Sequence, residues 1–153
     1  MSQENVELVR RLQPAPDVDI AQLVRDDDIN ARWVEAVSTV FHAHFECVMM
    51  SRLEGPMTYV GLDGLREASL DWTAPWAAYR TEIEQLIDAG ERVVVLVRDF
   101  GRRDEGPYEV AFIGAAVWTV RRGKVVRVEF IPDRAQALEA AGLDSNADTE
   151  ARG

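Results

Sequence analysis

The chain has 153 residues, 47% of them hydrophobic, and carries a net charge of −10. That length suits one domain with a real core, and a surface this acidic disfavours nucleic acid and anionic membrane as partners. A single cysteine forbids an intramolecular disulfide, the opening "MSQENVELVRR" has no apolar signal core, and no apolar run could span a bilayer, so a cytoplasmic location is expected.

The first third predicts helix. Ser2 can cap a helix with Val6, Val9 and Leu12 at helical spacing, stopped by Pro14 and Pro16. Asp17 or Asp19 can start a short second helix carrying Ile20, Leu23 and Val24. The acidic run "RDDD" reads as a solvated turn whose last member, Asp28, caps a third helix from Ile29 to about Thr39, with Trp33, Ala36, Val37 and Val40 toward the core.

The period then changes to two. A strand is predicted from about Ala43 to Met50, a loop at "RLEGPM", and a helix from about Leu62 to Trp72. After Pro75 the chain alternates again, with Tyr79, Thr81, Ile83 and Ile87 on one side and Arg80, Glu82 and Glu84 on the other. Turns at "AGE", "DEGP" and "RGK" divide the rest into hairpins ending in "VVRVEFI". Asp133 and Gln136 form a capping box for a last helix ending at Gly142. The tail "DSNADTEARG" has no apolar face. The expected domain is therefore 1–143, with 144–153 as a disordered tail. The expected class is α+β: one antiparallel sheet with the helices collected on one face.

The segments "ELIDAGERVVVLVRDFGRR" and "AAVWTVRRGKVVRVEFIPDRAQALEAAGL", with the opening "MSQENVELVRR", resemble SnoaL-like proteins of the nuclear transport factor 2-like superfamily, which includes ketosteroid isomerases and polyketide cyclases. The resemblance runs from Ser2 to Leu143. It implies a cone: a strongly curved sheet wrapped around helices, with an internal pocket, and homodimers formed through the sheet. It does not imply one function, because relatives include isomerases, cyclases, hydrolases and non-catalytic proteins.

Carried onto this chain, the resemblance places Cys47 where ketosteroid isomerases hold their general-base aspartate. It places Ala116 where they hold an acid for the oxyanion, and Phe130 where polyketide cyclases hold an aspartate. None of the three has a carboxyl group, and proton transfer next to a carbonyl needs a base and an oxyanion donor. A shift of one residue would put Glu46 on that face instead of Cys47. The Asp–Arg–Asp set of related epoxide hydrolases also fails, because Arg98 and Asp99 are strand neighbours and point to opposite faces.

The stretch "FHAHFECVMM" sets His42, His44 and Glu46 at every second position. Three ligands in a straight row span about 13 Å, too far to meet one ion, so a polar outer face is expected and no metal. Cys47 falls on the opposite, apolar face, where nothing lowers its pKa. Arg98 joins the pocket only if its face turns inward, and is a surface residue otherwise.

Together with the carried-over positions, Tyr59, Trp72, Trp76, Tyr79, Phe112, Trp118 and Val128 complete a candidate lining. An apolar, aromatic pocket with a few hydroxyl or indole donors suits a flat hydrophobic small molecule. The expected function is therefore small-molecule binding without cofactor. An isomerase, cyclase or hydrolase acting on a polyketide-, steroid- or terpenoid-like substrate is one alternative, and a non-catalytic dimeric interaction module is another.

Overall fold

The protein's structure, a computed structural model, describes residues 2–51, 55–103 and 106–143. Three helices open it: α1 (Ser2–Leu12), α2 (Ile20–Arg25) and α3 (Asp27–Val37). The aspartates between them are caps. Asp19 accepts from the backbone N–H groups of Ala21 and Gln22 at the head of α2. Asp26, and not Asp28, caps α3 by accepting from the Ile29 N–H at 2.9 Å. The first member of the acidic run is thus the cap, and the second, Asp27, pairs with Arg66 at 2.7 Å.

Strands β1 (Phe41–Ser51) and β2 (Gly55–Val60) follow, then α4 (Gly61–Thr73), β3 (Ala78–Ala89), β4 (Arg92–Arg102), β5 (Val110–Arg121), β6 (Lys124–Phe130) and α5 (Arg134–Ala140). The hairpin turns use left-handed backbone where the sequence offers glycine, with Gly90 at φ 79° and Gly123 at φ 76°. The strands form one curved, unclosed sheet in the order β2-β1-β6-β5-β4-β3.

Four features differ from the expectation. Gly55–Val60 forms a strand where a loop was expected; it is the sheet's edge, where a proline such as Pro56 costs no ladder bond. The sheet is mixed, because β1 runs parallel to β6. Only strands joined by a tight turn must be antiparallel, and this pair is far apart in sequence. A register shift between Ile83 and Gln85 exchanges the faces of β3. Ile83 packs in the inner core, whereas Ile87 packs in the outer one.

The fourth difference is the position of α5. The concave face (Phe45, Cys47, Val93, Val95, Ala116, Trp118 and Val128) packs on α1, α3 and α4. The convex face carries a second core, in which Val94, Leu96, Ala115 and Val117 meet Ala137, Leu138 and Ala141 of the C-terminal segment. Helices therefore lie on both faces of the sheet. Asp133 caps α5 by accepting from the Gln136 N–H at 3.1 Å. Arg134 pins that helix to the sheet, donating to the carbonyls of Val97 and Gly114 and to Glu84. The expected tail, 144–153, lies outside the described residues.

Candidate functional site

Alternation along β4 sends Val93, Val95 and Val97 to the concave side and Val94 and Leu96 to the convex side. Arg98 follows the convex set and is exposed, so it does not join the aromatic residues inside. Asp99 follows the concave set. It is the concave face's carboxylate on this strand, and the sequence reading did not place it in the site. The signal was present: once Arg98 points outward, its neighbour must point inward.

Asp99 is half-buried and held by two hydroxyls from β3. The Tyr79 Oη donates to its Oδ2 at 2.7 Å, and the Thr81 Oγ1 donates to its Oδ1 at 2.5 Å. Burial raises its pKa above the ordinary carboxylate value, while the bonds from Thr81 and Tyr79 act in the opposite direction. Tyr79 is itself pushed well above the usual phenol range, by burial first and then by the charge of Asp99.

Aromatic rings pack against Tyr79, and Phe112 is the cross-strand partner of Asp99. Trp72 meets Tyr79 edge-on with centroids 4.8 Å apart, and lies 5.9 Å from Phe130. Trp76 stands 6.2 Å from Tyr79 and 5.3 Å from Phe112. Phe112 is 37% exposed, so the cluster reaches solvent at this end. The Trp76 ring lies directly on Gly101, where an added Cβ would come within 2.5 Å of it. That glycine is a packing requirement, not a turn.

The helical lead-in fixes these positions. The capping carboxylate of Asp19 also accepts from the Tyr79 N–H at 3.0 Å. Arg25, the last residue of α2, donates to the carbonyls of Thr73 at 2.7 Å and Trp76 at 2.6 Å. Residues that read as a cap and a surface arginine thus tie α2 to the strand that carries the site.

The remaining candidates lie deeper or apart. Cys47 is fully buried, and burial pushes its thiol up to about 12. Glu46 points to the outer face and pairs with Arg127 at 3.0 Å. Ala116, Trp118 and Val128 are buried in the same core as Cys47. Trp118 is 7% exposed, and among the described residues its Nε1 has no acceptor. An unmet buried donor costs about 1–3 kcal/mol. Tyr59 packs against the edge of this core and reaches Asp71 with its hydroxyl at 3.4 Å. His42 and His44 are exposed with rings 6.0 Å apart, and the His42 Nδ1 accepts from the His44 N–H. Among the described residues, no three metal-binding side chains cluster.

A curved, unclosed six-stranded sheet wrapped over helices is the nuclear transport factor 2-like fold. The chain belongs to the SnoaL-like domain family, whose model matches residues 17–128, so α1 and α5 flank the matched segment. Solved structures agree at the level of the fold. A candidate SnoaL-like polyketide cyclase from Jannaschia sp. CCS1 is 20% identical, with 92% of each chain covered and a TM-score of 0.63. TerC, crystallised with polyporic acid, is 22% identical over 91% of this chain and 98% of its own, with a TM-score of 0.60. A hypothetical protein with a ketosteroid isomerase-like fold from Catenulispora acidiphila DSM 44928, in complex with trimethylamine, is 17% identical over 88% of this chain and 97% of its own, with a TM-score of 0.53. No match was found among curated proteins. No helix among the described residues is long and apolar enough to cross a membrane.

Proposed function

We propose that this SnoaL-like chain binds a small hydrophobic molecule at the aromatic end of its concave face, with Asp99 as the polar anchor. One observation carries the reading: a half-buried carboxylate is held by Thr81 and by Tyr79, whose ring packs against Trp72 and Trp76, and it faces Phe112 at the solvent-reaching end of the cluster. An apolar lining with one oriented polar group is the usual composition of a small-molecule site. The unmet Trp118 N–H, deeper on the same face, offers a second point for a ligand oxygen.

A thermal-shift screen with flat aromatic, steroid, polyketide and terpenoid compounds tests this. At least one class should raise the melting temperature, and Trp76→Ala and Phe112→Ala should each reduce that shift. A flat response across the whole panel would overturn the reading.

A second reading, an isomerase, cyclase or hydrolase at the same place, is favoured by the raised proton affinity of Asp99. A carboxyl whose pKa moves toward neutrality is better matched to proton transfer. In that case Asp99 would be the base and the Tyr79 hydroxyl its orienting donor. Turnover of an enolisable ligand that Asp99→Asn abolishes while binding persists would support it.

A homodimer through the sheet would have to use the convex surface that α5 leaves open, around Arg98, Phe100 and the exposed Ile113. Sedimentation of the wild type and Ile113→Glu checks this, with a monomeric variant expected.

A further inference from the structure

We infer that the aromatic mouth around Asp99 takes an organic cation: a protonated amine on a small hydrophobic or aromatic body. This rests on the binding reading above and names the charge of the ligand.

The first observation is the imbalance of charge at Asp99. Its two oxygens accept from neutral hydroxyls, at 2.7 Å and 2.5 Å. A carboxylate has about four acceptor positions, and the two neutral donors among the described residues fill two of them without matching its charge. Burial, Thr81 and Tyr79 set the proton affinity of Asp99, and both of its hydrogen-bond donors among the described residues are neutral. Its neighbour Arg98 is exposed on the other face. On the facing strand, Arg80 is held by Glu82 at 2.6 Å and by Glu109 at 3.0 Å.

The second observation is the ring environment. The negative faces of indole and phenol rings attract cations, most strongly where water is excluded. Trp72, Tyr79, Trp76 and Phe112 form a connected set with centroids 4.8 to 6.2 Å apart. One cation already uses this surface, since the guanidinium of Arg103 lies 5.0 Å from the Trp76 centroid.

The third is the field. A chain with a net charge of −10 concentrates cations and repels anions at its surface. An anionic ligand would meet an unneutralised carboxylate. A neutral ligand could donate to Asp99 but would leave its charge unmatched. An ammonium group supplies both the charge and the donors, and charge-assisted hydrogen bonds are roughly twice as strong as neutral ones.

The test uses three probes of one shape at neutral pH: 2-naphthylmethylamine, 2-naphthalenemethanol and 2-naphthoate, titrated into the full chain by calorimetry. The amine should bind about tenfold tighter than the alcohol, and the naphthoate should be weakest. Asp99→Asn should bring the amine down to the affinity of the alcohol, and Trp76→Ala should weaken the amine more than the alcohol. An alcohol that binds as tightly as the amine on the unmodified protein overturns the inference but leaves the binding reading intact. So does a folded Asp99→Asn variant that keeps the amine preference. If none of the three binds while the thermal-shift panel yields a ligand, this inference fails and the binding reading stands; if the panel is flat as well, both fail. Should Asp99→Asn not fold, the amine-to-alcohol ratio on the unmodified protein decides.

Discussion

Strands β1 and β4 each turn one ionisable side chain to the concave face, and the two are treated in opposite ways. Cys47 on β1 is fully buried among apolar groups, and burial alone pushes its thiol up to about 12. Asp99 on β4 is also pushed up by burial, but Thr81 and Tyr79 act against that push. Desolvation without donors favours the neutral form outright, whereas donors to the charged form offset part of that push. The position that the family resemblance matches to a catalytic base is therefore the fully buried one, and the half-buried, hydrogen-bonded carboxylate stands on another strand.

The sharpest way to break this contrast is Cys47→Asp. It restores a carboxyl group at the matched position but brings no donor with it. A buried charge without a partner costs about 3–5 kcal/mol, so urea denaturation should show a loss of that order. A loss below about 1 kcal/mol would mean that β1 holds a polar environment after all.

The next largest effect is expected at Gly101. An added methyl would meet the Trp76 ring at 2.5 Å. Overpacking of this kind costs about 1–3 kcal/mol, and here the ring must also leave its place beside Phe112. Gly101→Ala should lower the melting temperature and change the near-ultraviolet circular dichroism of the tryptophans. An unchanged spectrum would show that Trp76 is not seated on the strand.

The smallest effect is a dependence on pH. Because burial raises the Asp99 pKa in the folded state, the folded protein holds that proton more tightly than the unfolded chain does. Its contribution to stability is present below the unfolded carboxylate value of about 3.9 and is lost as pH rises through the folded value. Asp99→Asn does not titrate. The melting temperature of the variant minus that of the wild type should therefore become more positive from about pH 3.5 to pH 7. A difference that is flat, or that falls, would place Asp99 in a better-solvated setting than its hydroxyl partners suggest.

Much of this contrast was legible in the sequence. The alternation of "FHAHFECVMM" puts Cys47 inside and Glu46 and the histidines outside, as the structure has them. The glycine turns and the Asp19 and Asp133 caps were also readable, because each depends on a local backbone demand. What depended on distant partners was not. Gly55 and Pro56 read as a turn because an edge strand tolerates proline, and nothing local says which strand is the edge. The face of α5 was hidden because Val94, Leu96, Ala115 and Val117 look like ordinary core residues whichever helix covers them. Asp99 was passed over because alternation yields two faces without saying which is concave. The burial of Val93, Val95 and Val97 beside the N-terminal helices settles that.

The irregularity in β3 has a consequence for the carboxylate itself. Between Ala89 and Gln85 the ladder with β4 keeps one register, pairing Ala89 with Arg92 and Gln85 with Leu96. Continued unbroken, that register would set Glu82 opposite Asp99. The extra residue moves the pairing by one step, so that Thr81 faces Asp99 and Glu82 faces Arg98. A single inserted residue thus replaces a like-charge confrontation with a hydroxyl–carboxylate pair inside, and places an acid opposite a base outside. Without that irregularity Glu82 would stand opposite Asp99 and Ile83 opposite Arg98. The partner of Asp99 is in this sense decided by a counting step in the strand beside it.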